Sequence, residues 1–356
     1  SGTIKKRIGV ITIPTFYIDF EAHSRGKVEY HSTTRDTRRL VAELMESEVD
    51  GIIVDLRDNG GGSLSEAVSL TGLFIKDGPV VQIRKNDGKT ESNNETDPGI
   101  VYTGPLAVLV NRFSASASEI FAGAIQDYGR GTVVGEPTYG KGTVQSVIDL
   151  NRYTRGNDVT LGRLKLTVAQ FFRVNGDSTQ HRGIIPDIVF PTAVDNSNHG
   201  ERALKNALAW ASIKASDYKP FNRPIATIDD IKARHEQRIS SDSGFNYLLA
   251  QAEVRRSASD KQEVSLLRKD RKLEREALET EQNELLNRFR LSRGMKPVHK
   301  TSLIGNEDDD NEADEDIIQK IDMIEVRETA FILVDLIAKR AERFTRQGDR
   351  QTLDKL

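Results

Sequence analysis

The stretch that decides how this chain is read runs from Val108 to Gln145, VLVNRFSASASEIFAGAIQDYGRGTVVGEPTYGKGTVQ. An apolar strand over Leu106–Val110 ends in the polar turn Asn111-Arg112-Phe113. Small residues follow from Ser114 to Ser118, and a helical apolar spacing then runs through Ile120, Phe121, Ala124 and Ile125. A serine lodged between a strand end and a helix start is held rigidly, beside backbone N–H groups that the helix leaves unpaired. That arrangement suits acyl transfer, which needs a fixed oxygen and donors waiting for the developing oxyanion. A second strand, Gly131–Gly135, leads through Glu136-Pro137-Thr138-Tyr139 to Lys141, which stands between Gly140 and Gly142. Burial at so close an approach favours the neutral amine. Taken singly, a serine run ordinarily caps a helix, and a lysine beside glycine is ordinarily solvated. Their combination gives the stretch its chemical meaning.

Upstream, Gly51-Ile52-Ile53-Val54-Asp55-Leu56-Arg57 is a fully apolar strand of the buried, parallel-sheet kind. It ends in Asp58-Asn59-Gly60-Gly61-Gly62-Ser63, and a helix is expected over Leu64–Phe74. Consecutive glycines between strand and helix free backbone amides to face an anion. The nucleotide-binding patterns G-x-G-x-x-G and G-x-x-x-x-G-K-[ST] are absent, which argues against a phosphate loop. The recurring strand–helix order predicts an α/β core. An earlier strand at Ile8–Ile13 is broken by Pro14, residues from Ala22 to Ser32 read as a loop, and a helix begins near Thr33. Asn86–Gly99 is turn-rich and reads as a hairpin or loop, and the alternation over Leu161–Val174 predicts a strand.

These motifs resemble the carboxy-terminal processing, or tail-specific, proteases, which are Ser-Lys dyad peptidases. The resemblance implies that Ser116, first serine of Ser116-Ala117-Ser118-Glu119, is the nucleophile. It makes Lys141, 25 residues on in Gly-Lys-Gly, the base, and Gln145 the residue orienting that lysine. The Asp55-Leu56-Arg57-Asp58-Asn59-Gly60-Gly61-Gly62 loop is similar to the family's oxyanion loop. The resemblance therefore assigns one amide of the oxyanion hole to Gly61, with Gly60 and Gly62 as neighbouring alternatives, and the other to Ala117. Asp55 and Arg57 are expected to fix the loop. Asp127, in the helix after the nucleophile, takes a supporting role. Gly183-Ile184-Ile185-Pro186-Asp187 resembles the signature closing the protease domain. The implied fold is a crotonase-like α/β core over 1–195, with a mostly helical region over 196–356.

Net charge is −3, which gives no reason to invoke nucleic acid or an anionic membrane. There are no cysteines, so thiol chemistry is excluded. No apolar run approaches a membrane span. The six histidines stand outside the core motifs or, like His181, in a turn, and none has metal-binding spacing. No metal or cofactor is expected, and a Ser-His-Asp triad fits less well than the dyad. Beyond Gly200 charge rises and helices are expected, including Gln262–Arg293 and Ile317–Phe344. Between these lies an acidic loop over 305–316, GNEDDDNEADED, too polar to fold alone.

The resemblance further implies polypeptide substrates of the cell envelope with apolar carboxy-terminal tails, an envelope adaptor protein as partner, and a periplasmic location. In the family a PDZ domain precedes the strand at Ile8. This chain starts just before that strand, so slow, weakly selective proteolysis is the expectation. The alternative reading is a non-catalytic chain-binding module that keeps the protease fold.

Overall fold

The computed structural model describes residues 5–94, 99–153, 160–192, 199–221, 226–259, 261, 263–297 and 312–353. Five strands form a parallel sheet: β1 (Ile8–Thr12), β2 (Gly51–Asp55), β5 (Leu106–Val110), β6 (Thr132–Gly135) and β9 (Ile188–Val189), in the order β1-β2-β5-β6-β9. Every residue of β2, β5 and β6 is buried, as expected of central strands covered on both faces. The covering helices are α2 (Thr33–Glu46), α3 (Leu64–Gly72) and α4 (Ala117–Asp127). Phe74, Phe121, Leu70 and Ile125 from this layer are fully buried against Ile52, Val54, Val108 and Val133 of the sheet.

Local chemistry sets the helix starts. Ser32 and Ser63 are extended N-caps whose hydroxyls accept the N–H of Arg35 and of Glu66. The expected loop after Phe20 contains a short helix, α1 (Phe20–Ser24), which Asp19 caps by accepting the Ala22 N–H.

A second, antiparallel sheet has the order β4-β3-β8-β7, formed by β3 (Pro79–Lys85), β4 (Thr90–Asn94), β7 (Thr143–Asp149) and β8 (Arg163–Phe172). The hairpin expected at Asn86–Gly99 is the β3–β4 connection and its second strand, and residues 95–98 lie outside the described residues. β8 matches the alternating run read from the sequence, whereas β7 carries no comparable signal. Only Phe171 and Phe172 of β8 are fully buried, and residues 163–168 are exposed.

By contacts the chain divides into two units, one of Ser1–Val189, Ser197–Pro224 and Leu336–Leu356, the other of Phe190–Asn196 and Ile225–Asp335. The second unit is helical, built from α5 (Ala226–Ile239), α6 (Ser243–Ser259), α7 (Arg268–Ser292) and the first part of α8 (Glu312–Leu353). Buried His235 stacks on Phe190 and contacts Glu328 through Nδ1 at 2.9 Å, while Arg238 bridges Glu328 and Asp335. α7 starts six residues later than the predicted helix. Residues 305–311 of the acidic tract lie outside the described residues, and α8 takes up the rest.

Three connections follow the carboxyl ends of adjacent strands: residues 56–63 after β2, 111–116 after β5 and 136–142 after β6. In an open parallel sheet, that edge is where loops converge and ligands bind. The glycine loop, the serine run and the lysine turn therefore arrive at one edge.

Candidate active site

Ser116 is the N-cap of α4 and sits at φ 57°, ψ −111°. A non-glycine residue in left-handed backbone is rare and costs of order 1–3 kcal/mol, so neighbouring contacts must hold it there. Its backbone N–H donates to Glu119 Oε2 at 2.7 Å, and its C=O accepts from Ile120 at 3.0 Å. The three serines of the run differ in what their hydroxyls do. Ser114 Oγ donates to the Leu56 carbonyl at 2.8 Å and Ser118 Oγ to the Asn59 carbonyl at 2.9 Å, and both side chains are fully buried. Ser116 Oγ donates no hydrogen bond among the described residues; it stands only as the capping-box acceptor facing the Glu119 N–H, and the residue is half-exposed. The structure thus separates two structural serines from one available hydroxyl.

Gly61 lies directly against the serine. It adopts φ +103°, and a Cβ there would stand 2.8 Å from Ser116 Cβ and 3.1 Å from Ala117 N. Only glycine fits both the backbone and the gap. Ala117 is the first residue of α4, and its N–H makes no hydrogen bond among the described residues. The Gly61 N–H, in contrast, donates to Asn59 Oδ1 at 2.9 Å, while those of Gly60 and Gly62 have no hydrogen-bond partner among the described residues. Asp55 and Arg57 form a forked pair beneath the loop, with Arg57 Nη2 2.8 Å from Asp55 Oδ2 and both side chains largely buried.

Lys141 is half-buried at the end of the third connection. Burial first, and then the charge of Lys165, lowers its amine below the ordinary 10.5. Its backbone is pinned at both ends, the N–H to Glu119 Oε2 at 3.0 Å and the C=O by Thr179 Oγ1 at 3.1 Å. Gly140 turns at φ +90° against the His181 backbone, closer than a side chain would allow. No hydrogen bond joins Lys141 Nζ to Ser116 Oγ. Gln145 is exposed on β7 and makes no hydrogen bond to Lys141.

Asp127 lies at the far end of α4. Eleven residues of helix place it about 16 Å from Ser116. Its carboxylate is bound by Arg173, 2.5 Å from Nη2, and by Asn175 at 3.1 Å, so it fastens α4 to the turn after β8. Burial raises its pKa, against the pull of Arg173.

The comparisons with known proteins cover the stretch that holds these residues. Residues 7–190 match the family model described as peptidase family S41. The chain belongs to peptidase family S41. Residues 194–338 of this S41 chain match the model of the C-terminal domain of tail-specific protease. It is 42% identical over 273 residues to the tail-specific protease of Haemophilus influenzae, covering 76% of this chain and 37% of that protein. It is 38% identical over 149 residues to the carboxy-terminal-processing protease of Bartonella bacilliformis, covering 42% and 32% of the two chains. Among solved structures, a photosystem II D1 C-terminal processing protease is 31% identical, with a TM-score of 0.42 over 53% of this chain and 42% of that one. The chain thus spans about a third of the length of these curated relatives.

Two residues that organise this cluster were not singled out from sequence. Glu119 is fully buried and accepts four hydrogen bonds: from Ser116 N–H at 2.7 Å, Thr138 Oγ1 at 2.6 Å, Gly140 N–H at 2.8 Å and Lys141 N–H at 3.0 Å. One carboxylate therefore ties the serine's strained backbone to the lysine's turn. Burial pushes its pKa up to about 7, against these four bonds. Asn59, also fully buried, holds the Gly61 amide with Oδ1 and donates from Nδ2 to the Ile13 carbonyl at 2.8 Å. Their signals were the glutamate at the third position of the helix and the asparagine within the glycine loop.

The histidines take no such place. His181 joins the site only through its backbone, donating to the Gly140 carbonyl at 2.8 Å, and its Nε2 is buried without a partner. His199 packs edge-on to Phe113 and Tyr139 and lies 3.2 Å from the Arg112 carbonyl. Among the described residues no group of three or more acidic, histidine or cysteine side chains could hold a metal ion. No helix there is long and apolar enough to cross a membrane.

Proposed function

We propose that this chain carries the centre of a serine peptidase with a Ser116–Lys141 dyad. The observation that carries the reading is the serine itself. Of three serines in the run, only Ser116 combines a hydroxyl proton that no carbonyl takes, left-handed backbone, and contact with both Gly61 and the unpaired Ala117 N–H. In the proposed reaction, Ser116 Oγ attacks the scissile carbonyl carbon while neutral Lys141 Nζ accepts its proton. The oxyanion that forms accepts a hydrogen bond from Ala117 N–H and another from the Gly60–Gly62 loop. Each such donor contributes roughly 2.7–4 kcal/mol in comparable sites. The lysine then passes its proton to the leaving amine, and water releases the acyl group by the same route.

The described arrangement is a resting one in this account. Lys141 must come within hydrogen-bond reach of Ser116, and Gly61 must exchange Asn59 for substrate if its amide is the second donor. Gln145 would orient the lysine after turning inward from β7. Asp55 and Arg57 keep the glycine loop in place, and Asp127 braces α4. Substrates are proposed to be polypeptides of the bacterial cell envelope with apolar carboxy-terminal tails, met in the periplasm, with an envelope adaptor protein as partner. The similarity to tail-specific proteases supports this. A chain-binding module without chemistry is the competing reading, and the uncommitted proton of the Ser116 hydroxyl weighs against it.

The test is digestion of unfolded casein by the chain across a range of pH, with and without a chelator. Because the working base is the neutral amine, the rate should rise with pH through the lowered pKa of Lys141. Below about pH 7, protonation of Glu119 should add a further loss, since a protonated carboxyl cannot accept all four hydrogen bonds. The chelator should change nothing. No digestion at any pH, or loss of digestion with chelator, would overturn the reading.

A further inference from the structure

The free edge of β7 has properties that the dyad chemistry does not use. β7 begins two residues after Lys141 and its start is fixed, since the Gly142 N–H donates to Gln180 Oε1 at 2.8 Å and its C=O accepts from Phe171 at 3.0 Å. One side pairs with β8, in register from Thr143 opposite Gln170 to Asp149 opposite Arg163. The register shift falls at Val144 and Gln145, which leaves residues 145–149 regularly paired. β7 is the last strand of its sheet, and its other side pairs with no strand among the described residues. Natural edge strands are usually protected by charge or proline. The exposed run Gln145-Ser146-Val147 has neither.

The sheet face beside this edge is also uncovered. Residues directly opposite in an antiparallel pair point to the same side, so Ile148 with Leu164, and Ser146 with Leu166, share one face. Leu164 and Leu166 are 44% and 46% exposed, and Val147, on the opposite face, is 60% exposed. An apolar face that ends at an unpaired edge suits one more strand carrying apolar side chains at alternate positions.

We propose that the β7 edge is where the substrate polypeptide is laid, as a fifth strand that continues the face of Ile148, Leu164 and Leu166. This inference rests on the peptidase reading for its occupant. What favours a substrate over any other chain is continuity, because the edge runs straight out of the Lys141 turn. At about 3.3 Å per residue, Ser146 to Asp149 stand roughly 10–20 Å along β7 from its first residue, Thr143. The strand would therefore grip substrate several residues away from the scissile bond. Main-chain hydrogen bonds would accept any unfolded sequence, and the apolar face would favour alternating Val, Leu or Ile.

The experiment uses the full chain as Ser116→Ala and a fluorescein-labelled, unfolded peptide with alternating valine and threonine, read by anisotropy. Two changes are compared: N-methylation of every second peptide amide, in either phase, and Leu166→Glu in the protein. One phase of N-methylation should weaken binding at least tenfold and the other much less, because only alternate amides face β7. Leu166→Glu should weaken the valine–threonine peptide about tenfold and an all-polar peptide little. With Ser116 restored, fluorophosphonate labelling of the otherwise unaltered chain reports separately on the peptidase reading. Equal effects of the two N-methyl phases, or unchanged binding by Leu166→Glu, would overturn the proposal. So would concentration-dependent dimerisation that Leu166→Glu abolishes while peptide binding persists. An unreactive Ser116 alongside phase-dependent peptide binding would sink the peptidase reading and keep the edge as a chain-binding site.

Discussion

Ser116→Ala and Lys141→Ala are each expected to lower peptide cleavage by roughly 10⁴-fold or more, the scale seen when a member of a nucleophile–base unit is removed. Neither change should unsettle the fold. Lys141 Nζ has no hydrogen-bond or ion-pair partner among the described residues, and Ser116 Oγ serves only as the capping acceptor facing the Glu119 N–H, so the serine change should cost no more than about 0.5–2 kcal/mol. The neighbouring serines should behave in the opposite way. Ser114→Ala and Ser118→Ala each delete a buried hydroxyl bound to a carbonyl, at a cost of about 1–3 kcal/mol in stability, while leaving the dyad in place. Thermal midpoints and casein digestion measured on all four variants separate the two classes. Substantial cleavage by Lys141→Ala would remove the lysine from the mechanism.

The second large effect is expected at Glu119. Its Oε1 accepts from Thr138 and Gly140 and its Oε2 from Ser116 and Lys141, so every partner is a donor. Thr138 cannot easily reverse, because its Oγ1 already accepts the Ile184 N–H at 2.7 Å. Glu119→Gln replaces one oxygen by an NH₂ group and sets a donor against two others. Two buried donors then lose their acceptor, each worth about 1–3 kcal/mol. The variant should unfold at lower urea and lose at least tenfold in the catalytic rate, since the same carboxylate positions both Ser116 and Lys141. Because the amide does not titrate, the additional loss of rate below about pH 7 should disappear. A Glu119→Gln protein that is less stable but fully active, with an unaltered pH profile, would show that Glu119 supports the fold alone.

Much of this fold was legible because its central strands are unambiguous. The runs at Ile52–Val54 and Leu106–Val110 have no polar interruption, which only a sheet covered on both faces tolerates, and serines mark the helix starts after them. The loops between strand and helix therefore stood out, and with them Ser116, Lys141 and Gly61. The edge strand β7 was not legible, because Thr143–Asp149 mixes polar and apolar residues without strict alternation and half of it faces solvent. Glu119 illustrates another limit. Three of its four donors are backbone or side-chain groups within 138–141, and two of these are main-chain amides that carry no residue signature. The engagement of Gly61 by Asn59 is equally invisible, since sequence names a glycine but not the direction in which its N–H points.

The most direct measurement is the site of covalent modification. A fluorophosphonate should react with this chain at Ser116 alone, and peptide mapping by mass spectrometry should place the adduct there. Labelling should quicken with rising pH and fall at least a hundredfold in Lys141→Ala. An adduct on another residue, or labelling of Ser116 at the same rate with and without Lys141, would contradict the dyad.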